Sequence, residues 1–371
     1  MKILIIGSSR RIGLGFHSTV TAIAMKNLGI DVTVMSPARF QFDGLPKMLS
    51  EHRIKLIIYK KTDSLKIKDM LASNFLLKSF LKKENPEIIL AEGVNQLFKT
   101  LLYKRNNSNL KGISIAGSLP SRNVRQYIFL LDKVTDYTIA LCQYTKKELI
   151  KGCFNPLKII VTPLFSPYLP LFDEWKKRSI SLEKYGLKDI TRPVIFYGAY
   201  HYPWKGFEYF TLAAKIVLKK YDATFVIGGA GPKTEYLKEL VNKLGLNKHV
   251  IFTGIISPLE DLYPILYQVV DIAVSSSLRE QFPSYILEVM AAGKPIVATD
   301  VGGVREQVFN GYNGYIVPPK NYKVLADKIM NLIEDNNLRE EMKLKSRKLI
   351  EKIYNREEAI KRFLSQIKIK L

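Results

Sequence analysis

The chain of 371 residues is long enough for two domains with full cores, and 47% hydrophobic with 25% charged residues excludes a disordered polymer. Its net charge of +23 is lopsided: residues 1–170 hold 26 Lys+Arg against 11 Asp+Glu, a balance of +15, and the remainder holds 31 against 23, a balance of +8. Such a field suits an acidic partner, whether anionic lipid headgroups, nucleic acid or a phosphorylated substrate, although a solvated lysine-rich surface accounts for it equally well.

Only Cys142 and Cys153 are present, which excludes a disulfide scaffold, and their surroundings lack metal-ligand spacing. The opening "MKILIIG" is too short for a signal segment and runs straight into "SSRR". No apolar run approaches the roughly 20 residues of a membrane span. The expectation is a cytoplasmic protein in a reducing compartment, with peripheral contact at the inner membrane face as a candidate.

In chain order, short β-branched runs recur first: "KILIIG", "IDVTVM", "IKLIIY", "EIILAE", "GISIAG", "YTIALC" and "KIIVTP", with mostly helical patterns between them. This predicts a parallel α/β domain over residues 1–170. The Pro-rich, aromatic and charged stretch "TPLFSPYLPLFDEWKKRS", residues 162–179, closes this first alternation, and residues 171–192 read as a linker. Alternation then resumes over 193–353 with "PVIFYG", "ATFVIG", "HVIFTG", "DIAVSS", "KPIVAT" and "GYIVPP", a second parallel sheet. Residues 354–371 read as a final basic amphipathic helix whose packing partner the sequence leaves open. The fold class is therefore α/β, two Rossmann-like parallel-sheet domains whose loops at the strand carboxyl ends are expected to face one another across a cleft.

The chemistry concentrates in "SLREQFPSYILEVMAAGKPIVATDVGG", residues 277–303, where Glu280 and Glu288 stand eight positions apart. "DIAVSSS" predicts a buried strand, Pro283 a position in the first helical turn, and Gly293 the helix end. Glu280 then lies on the loop and Glu288 further along the helix, while the stretch Gln281, Phe282, Pro283 and Ser284, through the free N–H groups of all but the proline, makes the helix start an anion site. A glutamate on the loop can accept hydrogen bonds from a polyhydroxylated ligand, and one on the helix can bind a ribose diol through both carboxylate oxygens. By themselves the two read at least as well as solvent-facing acids favoured by the helix dipole.

They are not alone. Residues 193–355 resemble the C-terminal domain of the retaining, metal-independent family 4 glycosyltransferases of GT-B architecture. The motifs that carry the resemblance are the "KG" of "WKGFEYF", the "GGAGP" turn, "VIFTGIIS", the Glu280-to-Glu288 element, "AAGKPIVATDVGGVREQV" and "NGYNGYIVPP", in the family's order and spacing. The resemblance implies transfer of a sugar from a nucleoside diphosphate sugar to a saccharide or lipid-linked acceptor, with no cofactor and no metal. It implies that Glu288 binds ribose hydroxyls, that Glu280 lies beside the transferred sugar, that Lys205 meets the diphosphate, and that the Gly254 segment offers backbone groups to the nucleobase. Glu280 and Lys205 would be the catalytic pair, and no Asp-x-Asp metal motif closes a strand.

There are departures. Where the family usually has an arginine six residues before the lysine, this chain has Ala199; Arg279 and Lys294 are candidate second cations, each equally readable as a surface charge. "GGAGP" lacks the lysine and hydroxyl residue of a phosphate-binding P-loop and reads as a tight turn. The N-terminal half resembles the family less. Gly13 and Gly15 follow the first strand as the family's acceptor-side glycine loop does, with Arg10 and Arg11 beside them. Of the four histidines His17 is the acceptor-side candidate, with helix-start packing as its alternative, and the histidine that many members carry after the mid-domain strand is missing. Ser118 and Arg122 line the acceptor side by position alone.

Three other classes fit less well. A sugar-nucleotide epimerase of the same shape would want histidines around the sugar. A nucleic-acid-binding module would explain the charge but not the paired glutamates, so nucleic acid is not the expected partner. A dinucleotide oxidoreductase would want an acid at a strand end about 20 residues after its glycine turn, and Asp31 precedes its strand. Finally, "KIKDMLASNFLLKSFLKK", residues 66–83, sets an apolar pattern among lysines and predicts a helix whose apolar face packs on the sheet while its lysines, Lys78, Lys82 and Lys83 among them, can touch anionic lipid.

Overall fold

The structure is a computed structural model that describes residues 1–7, 12–37, 44–59, 81–92, 110–116, 132, 135–164, 167–257 and 261–368. Two compact units emerge: Met1–Tyr168 with Arg356–Leu371, and Leu169–Asn355.

In the first unit, β1 (Lys2–Ile6), β2 (Asp31–Pro37), β3 (Lys55–Tyr59), β4 (Ile88–Glu92), β5 (Lys111–Ala116), β6 (Tyr137–Ala140) and β7 (Ile159–Val161) form a sheet in the order β3-β2-β1-β4-β5-β6-β7. Neighbouring strands pair in parallel throughout. Strands buried on both faces need continuous apolar runs rather than alternation; Ile3, Leu4, Ile5 and Ile6 are all buried. The helix after β1 spans Ile12–Asn27, so Gly13 and Gly15 sit inside its first turn and not in a loop before it.

In the second unit, β8 (Val194–Gly198), β9 (Thr224–Gly228), β10 (Val250–Gly254), β11 (Ile272–Ser275), β12 (Ile296–Thr299) and β13 (Gly314–Val317) are ordered β10-β9-β8-β11-β12-β13, again parallel throughout. The order reverses between β8 and β11, and such a reversal opens a crevice at the strand carboxyl ends. The core beneath it holds Ile195, Tyr197, Phe207, Phe210, Phe225, Val274 and Val297. The helix Phe207–Val217 follows β8, and Ser284–Ala291 follows β11.

The stretch expected as a linker, 171–192, belongs instead to the second unit. Its helix Leu169–Trp175 buries Leu171, Phe172 and Trp175, and Phe172 meets Tyr263 edge-on at 4.7 Å. Asp173 accepts from the Arg347 guanidinium at 2.9 and 3.0 Å. Its aromatic residues are packing groups, which a composition rich in proline and charge obscures. The last helix, Arg356–Gln366, packs in the first unit: Ala359, Ile360, Phe363 and Leu364 are buried, and Lys111 donates to the Ile367 carbonyl at 2.8 Å.

Candidate active site

Lys205 closes the short 3₁₀ turn Pro203–Lys205 that leaves β8, and Glu280 stands on the loop that leaves β11, on either side of the reversal. Their charges meet: Lys205 Nζ lies 2.5 Å from Glu280 Oε1, with the side chains only 22% and 11% exposed. The same carboxylate oxygen accepts from Ser277 Oγ at 2.6 Å. Ser277 in turn lies 2.8 Å from the Tyr197 hydroxyl, which also reaches the Lys205 carbonyl at 3.0 Å. Burial, and then the negative charge of Glu280, push the Tyr197 phenol far above its ordinary range, so it stays protonated.

Backbone contacts hold the two loops together. Ser276 Oγ donates to the Gly206 carbonyl at 2.8 Å, and Leu278 N–H to the Trp204 carbonyl at 2.7 Å. Gly206 adopts φ +62°, and a Cβ there would fall 2.2 Å from the Ser276 carbonyl oxygen. Gly302, at φ +58°, touches the Glu280 carbonyl so closely that a Cβ would stand 1.9 Å away, and Gly303 N–H donates to Gln281 O at 2.8 Å. Only glycine allows both the left-handed conformation and the approach. Gly302 and Gly303 therefore form the turn that supports the Glu280 loop.

The other donor-side candidates divide. Pro283 is the residue just before the helix rather than inside it, and its carbonyl accepts from Gln307 Nε2 at 3.0 Å. Ser284 is the first helical residue and Gln281 lies partly buried ahead of it. Phe282 does not present its ring as a ligand surface; it is buried, 6.1 Å from the Tyr354 ring. Glu288 is half-buried one turn into Ser284–Ala291, and its charge helps burial and Tyr197 push the Tyr285 phenol up. Gly254 ends β10 at φ +68°, with its carbonyl accepting from Gly229 N–H at 2.8 Å.

Of the candidate second cations, Arg279 is exposed beside Glu280. Lys294 is not near it: it precedes β12, at the amino end of the sheet, opposite the crevice. Burial there pulls its ammonium down to about 8.

On the acceptor side, His17 is 5% exposed and faces the interior, where the buried Arg356 donates to its carbonyl at 3.1 Å and lies 3.3 Å from its Nδ1. Burial, then the Arg356 charge, hold the imidazole well below its usual range, so it is neutral and packs as a helix-start residue. Arg10, Arg11, Ser118, Arg122 and residues 66–80 lie outside the described residues. Among the described residues no helix is long and apolar enough to cross a membrane, and no group of three or more His, Cys, Asp or Glu side chains could hold a metal ion.

Tyr197 and Ser277 are the site residues that sequence reasoning missed. The available signal was a hydroxyl at the carboxyl end of an otherwise apolar strand, "VIFYG", and three serines closing another, "DIAVSSS".

Residues 180–349 match the family described as Glycosyl transferases group 1. With its two parallel α/β units the chain has the GT-B fold, and the matched residues, a little under half of the chain, are similar to that group. An uncharacterized glycosyltransferase of Methanocaldococcus jannaschii is 32% identical over 198 residues, 52% of this chain and 50% of that protein. Alpha-D-kanosaminyltransferase of Streptomyces kanamyceticus is 34% identical over 171 residues, 46% of this chain and 43% of that one. The chain thus spans about half the length of these curated relatives. Anabaena HepE, solved in complex with UDP and glucose, is similar with a TM-score of 0.81 at 19% identity, covering 99% of each chain.

Proposed function

We propose that the chain is a retaining family 4 glycosyltransferase that moves a sugar from a nucleoside diphosphate sugar to a saccharide or lipid-linked acceptor, with no obligatory metal ion. The observation that carries this is the Lys205–Glu280 pair at the strand-order reversal of a group 1 domain. Solved structures of Anabaena HepE contain UDP and UDP-glucose, which supports uridine nucleotides as the first donors to test.

In this scheme Lys205 binds the diphosphate, and its ammonium stabilises the negative charge that grows on the leaving phosphate as the glycosidic bond breaks. Glu280 accepts from hydroxyls of the transferred sugar, Glu288 from the ribose diol, and the N–H groups at the start of Ser284–Ala291 face the anion. The acceptor hydroxyl approaches from the face that the diphosphate leaves. As the bond from the anomeric carbon to the phosphate oxygen breaks, the bond to the acceptor oxygen forms, and the acceptor's proton passes to the departing phosphate. The protein's part is positioning and electrostatics rather than a strong base.

The test is a thermal-shift and turnover screen over UDP, GDP and ADP sugars, repeated with Glu280→Gln and with EDTA. The expected result is stabilisation by one nucleotide class, turnover that survives chelation, and a Glu280→Gln protein that binds the nucleotide as before but turns over at least tenfold more slowly, on the order of one lost transition-state contact. No response to any nucleotide overturns the donor site. Activity lost with EDTA and restored by magnesium overturns the metal-free scheme.

A further inference from the structure

We infer that Tyr197 and Ser277 are positioning residues for Glu280, a two-hydroxyl relay that keeps its carboxylate aimed when a donor diphosphate draws Lys205 away. The inference rests on Lys205 and Glu280 being donor-site residues.

Glu280 Oε1 takes two donors, Lys205 Nζ at 2.5 Å and Ser277 Oγ at 2.6 Å. A diphosphate carries more negative charge than a carboxylate and competes for the same ammonium. When it wins, Ser277 is the donor that still holds Oε1. A serine hydroxyl has one proton and a carboxylate only accepts, so with that proton committed to Glu280 the serine oxygen must itself accept. The Tyr197 hydroxyl, 2.8 Å away, supplies this second bond. It keeps its proton at working pH because burial and the Glu280 charge both disfavour the phenolate.

The ring cannot swing out of the relay: it stacks on Phe207 at 4.2 Å and meets Phe210 at 6.0 Å and Tyr285 at 5.8 Å. Its hydroxyl also lies 3.0 Å from the Lys205 carbonyl. One phenol therefore touches the backbone of the cation and the side chain that holds the anion, on loops from β8 and β11. With a single proton it serves one acceptor at a time, Ser277 while Glu280 is held or the Lys205 carbonyl if the serine turns. Because Gly206, Ser276, Trp204 and Leu278 fix the two backbones to each other, the exchange is confined to side chains.

Calorimetric titration of UDP and UDP-glucose into the full chain tests the relay, with Ser277→Ala, Ser277→Thr and Tyr197→Phe compared with wild type. Glu280 faces the sugar and not the nucleoside, so Ser277→Ala should leave UDP affinity within about twofold while the preference for UDP-glucose over UDP falls about tenfold, as expected for one lost bond to a charged group. Ser277→Thr keeps a hydroxyl and should restore most of that preference. Tyr197→Phe, which retains the stacked ring, should lower it by about threefold, the worth of a neutral hydrogen bond. An unchanged preference in both Ser277→Ala and Tyr197→Phe overturns the relay alone, and so does an equal loss for both ligands, which would indicate general damage. A wild-type protein that binds neither ligand, nor GDP, ADP and their sugars in the same titration, overturns the donor-site reading itself, and the relay with it.

Discussion

Each end of the six-stranded sheet carries a cation paired with a carboxylate, and the two pairs are built differently. At the amino end Arg192 lies 2.7 Å from Asp271 Oδ1, while Asp271 Oδ2 accepts from the Val194 backbone N–H at 2.7 Å. That carboxylate bridges an arginine and the main chain of β8, and its partner is mostly exposed. At the carboxyl end the Glu280 carboxylate takes two side-chain partners, the Lys205 ammonium and the Ser277 hydroxyl, with both carboxylate and ammonium partly buried. A backbone partner cannot be exchanged without moving a strand; a side-chain partner can be given up to a ligand. A pairing of opposite charges therefore makes a clamp at one end and, on the proposed function, a site at the other.

The largest test of this contrast is Lys205→Ala. If the partly buried Lys205 ammonium faces the leaving phosphate as proposed, its removal should lower turnover about hundredfold and weaken UDP binding, read by steady-state kinetics and titration. Unchanged values in both would make the carboxyl-end pair another clamp. Glu288→Ala should weaken UDP affinity about thirtyfold, the scale of bonds to a charged group, and calorimetry on the folded variant decides it.

Lys294 sharpens the comparison from the amino end, where a cation is buried without serving a ligand. Its ammonium is pulled from the ordinary 10.5 to about 8, by burial first and by Lys343 and Arg192 against the attraction of Asp271. The native state thus binds fewer protons than the unfolded chain between these values, and the group's contribution to stability rises with pH through that window. Lys294→Met should stabilise the protein by about 1–2 kcal/mol at pH 7, after allowance for screening, and by less at pH 9.5. Urea unfolding of both proteins at the two pH values reads the difference, and a gain that grows with pH would contradict the burial of a charged group.

The smallest effect belongs to Asp271→Asn. The exposed pair with Arg192 contributes about 0.2–1 kcal/mol, and the amide oxygen can still accept from Val194 N–H, so stability should fall within that range while UDP affinity stays unchanged. A loss of UDP affinity comparable to that of Lys205→Ala would erase the distinction between the two ends.

The thirteen described strands were legible in the sequence, because parallel strands covered by helices favour short, unbroken β-branched runs. Lys205 and Glu280 were singled out by the order and spacing of motifs that carry the family resemblance, but the pairing of their side chains was not. The packing of the Phe282 ring was not legible, since an aromatic on a loop gives no sign in sequence that it lies against the Tyr354 ring. Nor was the stretch 171–192, whose aromatic residues pack on Tyr263 across some ninety positions of chain.

By itself the sequence determined the two parallel sheets, the reversal-point loops and the charged residues on them, since hydrophobic period and glycine placement are local properties. Tertiary structure alone decided which hydroxyls reach Glu280, that Lys294 lies at the wrong end of the sheet to assist it, and that His17 is sealed by Arg356 from the far end of the chain. Those contacts join residues separated by as many as 339 positions, and a hydrogen bond depends on distance and angle in space, neither of which a one-dimensional pattern carries.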